Sequence, residues 1–64
     1  MTKAEVKNNV KQLNRSQCVE LLTEHELPIG KMDSINELQR KVFVAYQNKL
    51  INPEKIPVNG SRNN

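Results

Sequence analysis

Apolar residues recur at helical spacing in three runs along this chain, and each run follows residues able to cap a helix. Val6, Val10 and Leu13 stand at i, i+4 and i+7, one stripe of a helix. Thr2 and Glu5 ahead of them have capping-box spacing, in which each side chain satisfies the other's free backbone amide. A first helix is predicted from Thr2 to about Leu13. Asn8 and Asn9 weaken it intrinsically, so packing must support it. The second run is Cys18, Val19, Leu21 and Leu22. Its helix starts either at Asn14 with Gln17 or at Ser16, and runs to about His25 or Glu26. Leu27-Pro28-Ile29-Gly30 closes it, because Pro28 drives Leu27 out of the α region and Gly30 suits a positive φ. An extended connector from Leu27 to Asp33 follows. Ser34 and Glu37 form a second capping box, and Asp33 places negative charge at the positive end of the third helix. Ile35, Leu38, Val42, Ala45, Tyr46 and Lys49 trace one buried face. Phe43, Val44 and Leu50 broaden that face, so this helix is expected to be the most buried. It ends near Leu50 or Asn52, before Pro53.

The predicted fold is all-α, with three to four short helices over residues 1–52 arranged as helix, extended loop, helix, plus an extra N-terminal helix. Its expected core is Val6, Val10, Leu13, Leu21, Leu22, Ile35, Leu38 and Val42. Residues 53–64 hold Pro53, Pro57, Gly60 and three asparagines, the composition of a linker or tail. Ile56 or Val58 can still fold back onto the core.

Composition narrows the setting. At 64 residues the chain is near the lower limit for a single unaided core. One cysteine and one histidine exclude a disulfide framework and a four-ligand zinc site. Helix packing must therefore supply the stability, and a reducing compartment is the expected home. No apolar run reaches the ~18 residues that a membrane span needs, and a secretory leader is not expected. The net charge is +3, and its distribution says more. Residues 1–15 set Lys3, Lys7, Lys11 and Arg15 against Glu5. Residues 16–37 set Lys31 against Glu20, Glu24, Glu26, Asp33 and Glu37. Residues 38–64 set Arg40, Lys41, Lys49, Lys55 and Arg62 against Glu54. The chain is basic at both ends and acidic in the middle, which permits a nucleic-acid or acidic partner.

Catalysis is not expected, nor is a cofactor or metal. Cys18 and His25 lie two helical turns apart, roughly 10 Å by rise, too far for a nucleophile–base hydrogen bond. Glu20 and Glu24 share what reads as a solvated helix face. No Gly-rich phosphate loop is present. Lys3, Lys7 and Lys11 recur every four residues and, with Arg15, can follow a phosphate backbone or simply solvate a short helix. Gly30 allows close backbone approach, and Lys31 beside it supplies charge. Arg40 and Lys41 can join Lys31 in a patch around the connector. Phe43 and Tyr46 fall at expected core positions, which argues for duplex phosphates over base stacking on a single strand. The competing reading is a protein-binding groove around Leu22, Ile29 and Met32.

Ser16-Gln17-Cys18-Val19-Glu20-Leu21-Leu22, then Leu27-Pro28-Ile29-Gly30-Lys31, then Asn36-Glu37-Leu38 resembles a SAP domain. With its leading helix, the chain is most similar to the N-terminal SAP domain of PIAS-type SUMO ligases over roughly residues 3–50. The resemblance implies a nuclear, monomeric module that binds A/T-rich double-stranded DNA, and sometimes nuclear proteins, and tethers a larger protein whose ligase activity lies in another domain. It implies no membrane and no small-molecule substrate. The implied contacts are Gly30 and Lys31, with Arg40, Lys41, Lys7, Lys11 and Arg15 contributing, and A/T preference would come from minor-groove shape. The chain departs from the family pattern after Gly30-Lys31: Met32-Asp33-Ser34 lengthens the step and omits the second basic residue. Val42-Phe43-Val44-Ala45-Tyr46 also resembles the last helix of LEM and LEM-like domains. That similarity implies a chromatin partner such as barrier-to-autointegration factor, or direct DNA contact.

Overall fold

A computed structural model describes residues 2–58. It is all-helical among the described residues: α1 (Lys3–Lys11), α2 (Arg15–Glu24), α3 (Ile35–Gln47) and a single 3-10 turn at Pro53–Lys55. The helix starts follow from local chemistry. Thr2 and Glu5 form the full capping box of α1, and Asn14 with Gln17 forms that of α2. At α3, Ser34 Oγ accepts the Glu37 N–H at 3.2 Å. The reciprocal half of that expected box is not formed.

α2 ends where expected, with His25 as its C-cap, while the end of α3 differs from expectation. α3 stops at Gln47, short of Leu50, because Lys49 adopts φ 62°. The Leu50 N–H then bonds Ala45 O at 2.8 Å, and the Lys49 N–H bonds Tyr46 O at 3.0 Å. Glu26, at φ 58°, closes α2 in the same way, with Leu27 N–H on Leu22 O and Glu26 N–H on Thr23 O. Both closures are Schellman motifs, in which a left-handed residue turns two N–H groups back onto orphan carbonyls. The positive φ expected at Gly30 belongs instead to Glu26.

α3 packs against both α1 and α2. The core is Val6 and Val10 of α1, Leu13, Cys18, Leu21 and Leu22 of α2, Leu38, Val42 and Ala45 of α3, and Ile51 and Ile56. Ile35, Phe43 and Tyr46 pack half-buried against it. The folded unit runs past the boundary expected at residue 52. Asn52 caps the 3-10 turn by accepting the Glu54 N–H at 2.9 Å, and Pro53 supplies a preset φ at its first position. The turn returns Ile56 to the core, where it is 4% exposed. The rest of the expected tail, residues 59–64, lies outside the described residues.

Candidate nucleic-acid interface

The seven residues singled out for DNA contact separate into two groups. The first surrounds the connector and is organised by an acid. Gly30 to Asp33 form a tight turn in which Asp33 N–H bonds Gly30 O at 3.2 Å. The Gly30 N–H donates to Asp33 Oδ2 at 2.7 Å. Lys41 Nζ donates to the same Oδ2, the one ion pair among the described residues. Arg15 Nη1 donates to the Asp33 carbonyl at 2.9 Å. The Lys41 hydrogen bond, then the Gly30 N–H, hold the Asp33 carboxyl below its ordinary range. A Cβ on Gly30 would stand 3.0 Å from Asp33 Oδ1, so glycine serves here to let the carboxylate approach. Lys41 and Arg15 are engaged in holding the connector. Lys31 is exposed on the turn.

The second group lies between α1 and α3. Lys7, Lys11 and Arg40 line one groove of about 270 Å³ with Val10, Asn36, Gln39 and Phe43. It continues along the helices past Lys7, Phe43 and Gln47 to Lys3, Tyr46 and Lys49. Lys11 thus meets the start of α3 and Lys3 its end, so α1 and α3 are antiparallel. Gln39 fixes that register, since its Nε2 donates to Lys11 O at 3.1 Å and Leu13 O at 2.9 Å. The groove is lined by Lys3, Lys7, Lys11, Arg40 and Lys49 and by no Asp or Glu. None of these five cations has an ion pair among the described residues. Glu20 and Glu24 line the outer face of α2 instead. Glu37 precedes Lys41 by four residues, which places it on the connector side of α3.

Phe43 and Tyr46 are not core residues as expected. They are half-buried, their ring centroids lie 5.7 Å apart, and both line the basic groove. Lys3 and Lys49 were named in the sequence as part of a stripe and a buried face; only packing brings them together.

The expected protein-binding trio does not assemble. Leu22 is 1% exposed and belongs to the core, whereas Ile29 is 39% and Met32 95% exposed on the connector, and among the described residues no one groove is lined by all three. Cys18 is fully buried, and burial pushes its thiol pKa up. The His25 ring lies 2.8 Å from Leu21 O through Nδ1. No group of three or more potential metal ligands occurs among the described residues, and no helix there is long and apolar enough to cross a membrane. Comparison with protein-family models, curated proteins and solved structures gave no match.

Proposed function

We propose that this chain binds the phosphate backbone of double-stranded DNA along the α1–α3 groove. The observation behind this reading is the row of five cations with no acid among them. Lys3 to Lys11 spans about 12 Å of helix rise. One DNA strand presents a phosphate about every 3.4 Å of axis, so the stripe can meet several phosphates at once. Contacts of this kind position a protein without reading bases. In the setting the SAP resemblance implies, the module holds a larger nuclear protein on DNA. The footprint differs from the one the sequence pointed to. Lys7, Lys11 and Arg40 are its centre, while Lys41 and Arg15 support the connector.

Titration of an A/T-rich duplex at several salt concentrations tests the reading. About four phosphate contacts give a log–log salt slope near −3.6. Lys7→Ala and Lys11→Ala should each weaken binding and lower the slope by about 0.9, whereas Lys41→Ala should leave the slope unchanged. Absence of binding at low salt, or a slope insensitive to Lys7 and Lys11, overturns it. A single strand of the same sequence is the comparison the aromatic lining calls for. Tighter binding to it would reassign the groove to stacking on Phe43 and Tyr46.

A further inference from the structure

The opposite flank of α3 carries a second groove of different chemistry. Its floor and walls are Leu22, Leu27, Pro28, Val44, Ala45 and Leu50, and its volume is about 240 Å³. Arg40, Lys41 and Asn48 complete its lining, again with no acid. Val44 is 43% exposed and Leu50 is 54% exposed. The sequence rhythm places both on the buried face of α3, yet no element covers them among the described residues. The Schellman closure at Lys49 lifts Leu50 away from the helix axis, and the turn after α2 brings Leu27 and Pro28 to face it.

We propose that this groove docks a short amphipathic segment of a partner protein, with aliphatic side chains on one face and an aspartate or glutamate beside them. Two aliphatic side chains at i, i+4 take up about 6 Å of helix rise, half of the ~12 Å run from Arg40 to Asn48, which leaves room for a carboxylate at the Arg40 end. The charge of the rim selects the occupant. Arg40 has no ion pair among the described residues, and it stands where a carboxylate flanking the apolar anchors would arrive. A basic segment would meet the unpaired Arg40 and find no acid in the groove, since Lys41 is already paired with Asp33. A second copy of this chain would have to present its acidic α2 face. That face carries Val19 already half-buried against the core, which leaves it no anchor to insert. The proposal goes beyond duplex binding and does not rest on it, though Arg40 lines both grooves and a phosphate and the partner's carboxylate would compete for it.

An amide chemical-shift titration tests it, with a synthetic helical peptide bearing leucines at i, i+4 and glutamates beside them. Shifts are expected at Val44, Ala45, Leu50 and Leu27. Replacing the peptide's glutamates with lysines should abolish them. Val44→Ser with Leu50→Ser changes two exposed positions and should weaken the peptide about tenfold or more, with duplex binding unaltered. Lys7→Ala should do the reverse. No shifts, or equal shifts with the lysine peptide, overturn the proposal. So does sedimentation as a dimer that the same double variant returns to monomer, because the groove is then taken by a second copy. Circular dichroism of the double variant confirms that it retains the helices.

Discussion

Asp33 Oδ2 accepts both the Gly30 N–H and the Lys41 ammonium. One carboxylate therefore ties the connector to itself and to the second turn of α3. The Gly-Lys step and Lys41, which in the sequence resemble a DNA-contact loop, are held by an acid that the step's unusual length introduces. The proposed duplex contact falls on the α1–α3 groove because the cations there have no such partner among the described residues.

This arrangement sets a pH dependence. The Asp33 carboxyl ionises near pH ~3.9 in an unfolded chain and lower in the folded one, through Lys41 and then the Gly30 N–H. Its charge favours folding above that unfolded value. The contribution is lost as pH falls through the folded value, when the carboxyl must take up a proton and release Lys41. The Gly30 amide proton should titrate in this acid window, followed by NMR. Asp33→Asn should remove the transition and make stability less dependent on pH there, measured by thermal melts below about pH 4. An unchanged acid limb in Asp33→Asn would disprove the role of this carboxylate.

The helix starts were legible because caps are local: Thr2 with Glu5, and Asn14 with Gln17, involve residues three apart. The Val6, Val10, Leu13 and Leu38, Val42 stripes were legible for the same reason. The end of α2 near His25 was legible as well, but the end of α3 and the residues that turn left-handed were not, because neither closure uses glycine. What fixes Glu26 and Lys49 is the packing of Leu27 and Ile51 after them. The lysine stripe of α1 could be read from its spacing, but its meeting with Arg40 depends on a register set by Gln39, 28 residues from Lys11. Val44 and Leu50 were misplaced because periodicity marks an apolar face without saying which part of it finds a cover.

Glu26 is a side chain in a glycine's conformation. At φ 58° its Cβ crowds the following carbonyl, a strain of about 1–2 kcal/mol for a residue with a side chain. Glycine relieves it, at the cost of a more flexible unfolded chain. Glu26→Gly should stabilise the fold by up to about 1 kcal/mol, read as a higher urea midpoint with unchanged slope. A loss of stability would mean that the Glu26 side chain makes contributions its exposed position does not indicate.

The short 3-10 turn anchors the end of the core. Ile56 reaches the interior only because Asn52 and Pro53 reverse the chain. Removing most of a buried aliphatic side chain typically costs 2–5 kcal/mol, and ΔG of unfolding for a domain this small is near the lower end of about 5–15 kcal/mol. Ile56→Ala should lower the denaturation midpoint sharply, and truncation after Asn52 should leave a largely unfolded chain by circular dichroism. A truncated chain as stable as the full one would restore the domain boundary at residue 52.

Gln39 joins α3 to α1 through two donors of one amide. Lys11 O lies in the last turn of α1 and Leu13 O just beyond it, so neither has an intrahelical partner of its own. Gln39→Ala withdraws both bonds, and Leu13 is itself buried, so its carbonyl cannot readily turn to water. The expected cost is about 1–2 kcal/mol, with faster amide exchange at Val6 and Val10 as α1 loosens. Gln39→Glu should be worse than alanine at neutral pH, since a carboxylate has no proton to give and would face two carbonyl oxygens. Acidification should narrow the gap between the two variants, because a protonated glutamate regains one O–H donor. Duplex affinity should fall in both, since Lys7 and Lys11 lose their register against Arg40. Unchanged affinity alongside loosened α1 would show that binding does not use the α1–α3 groove.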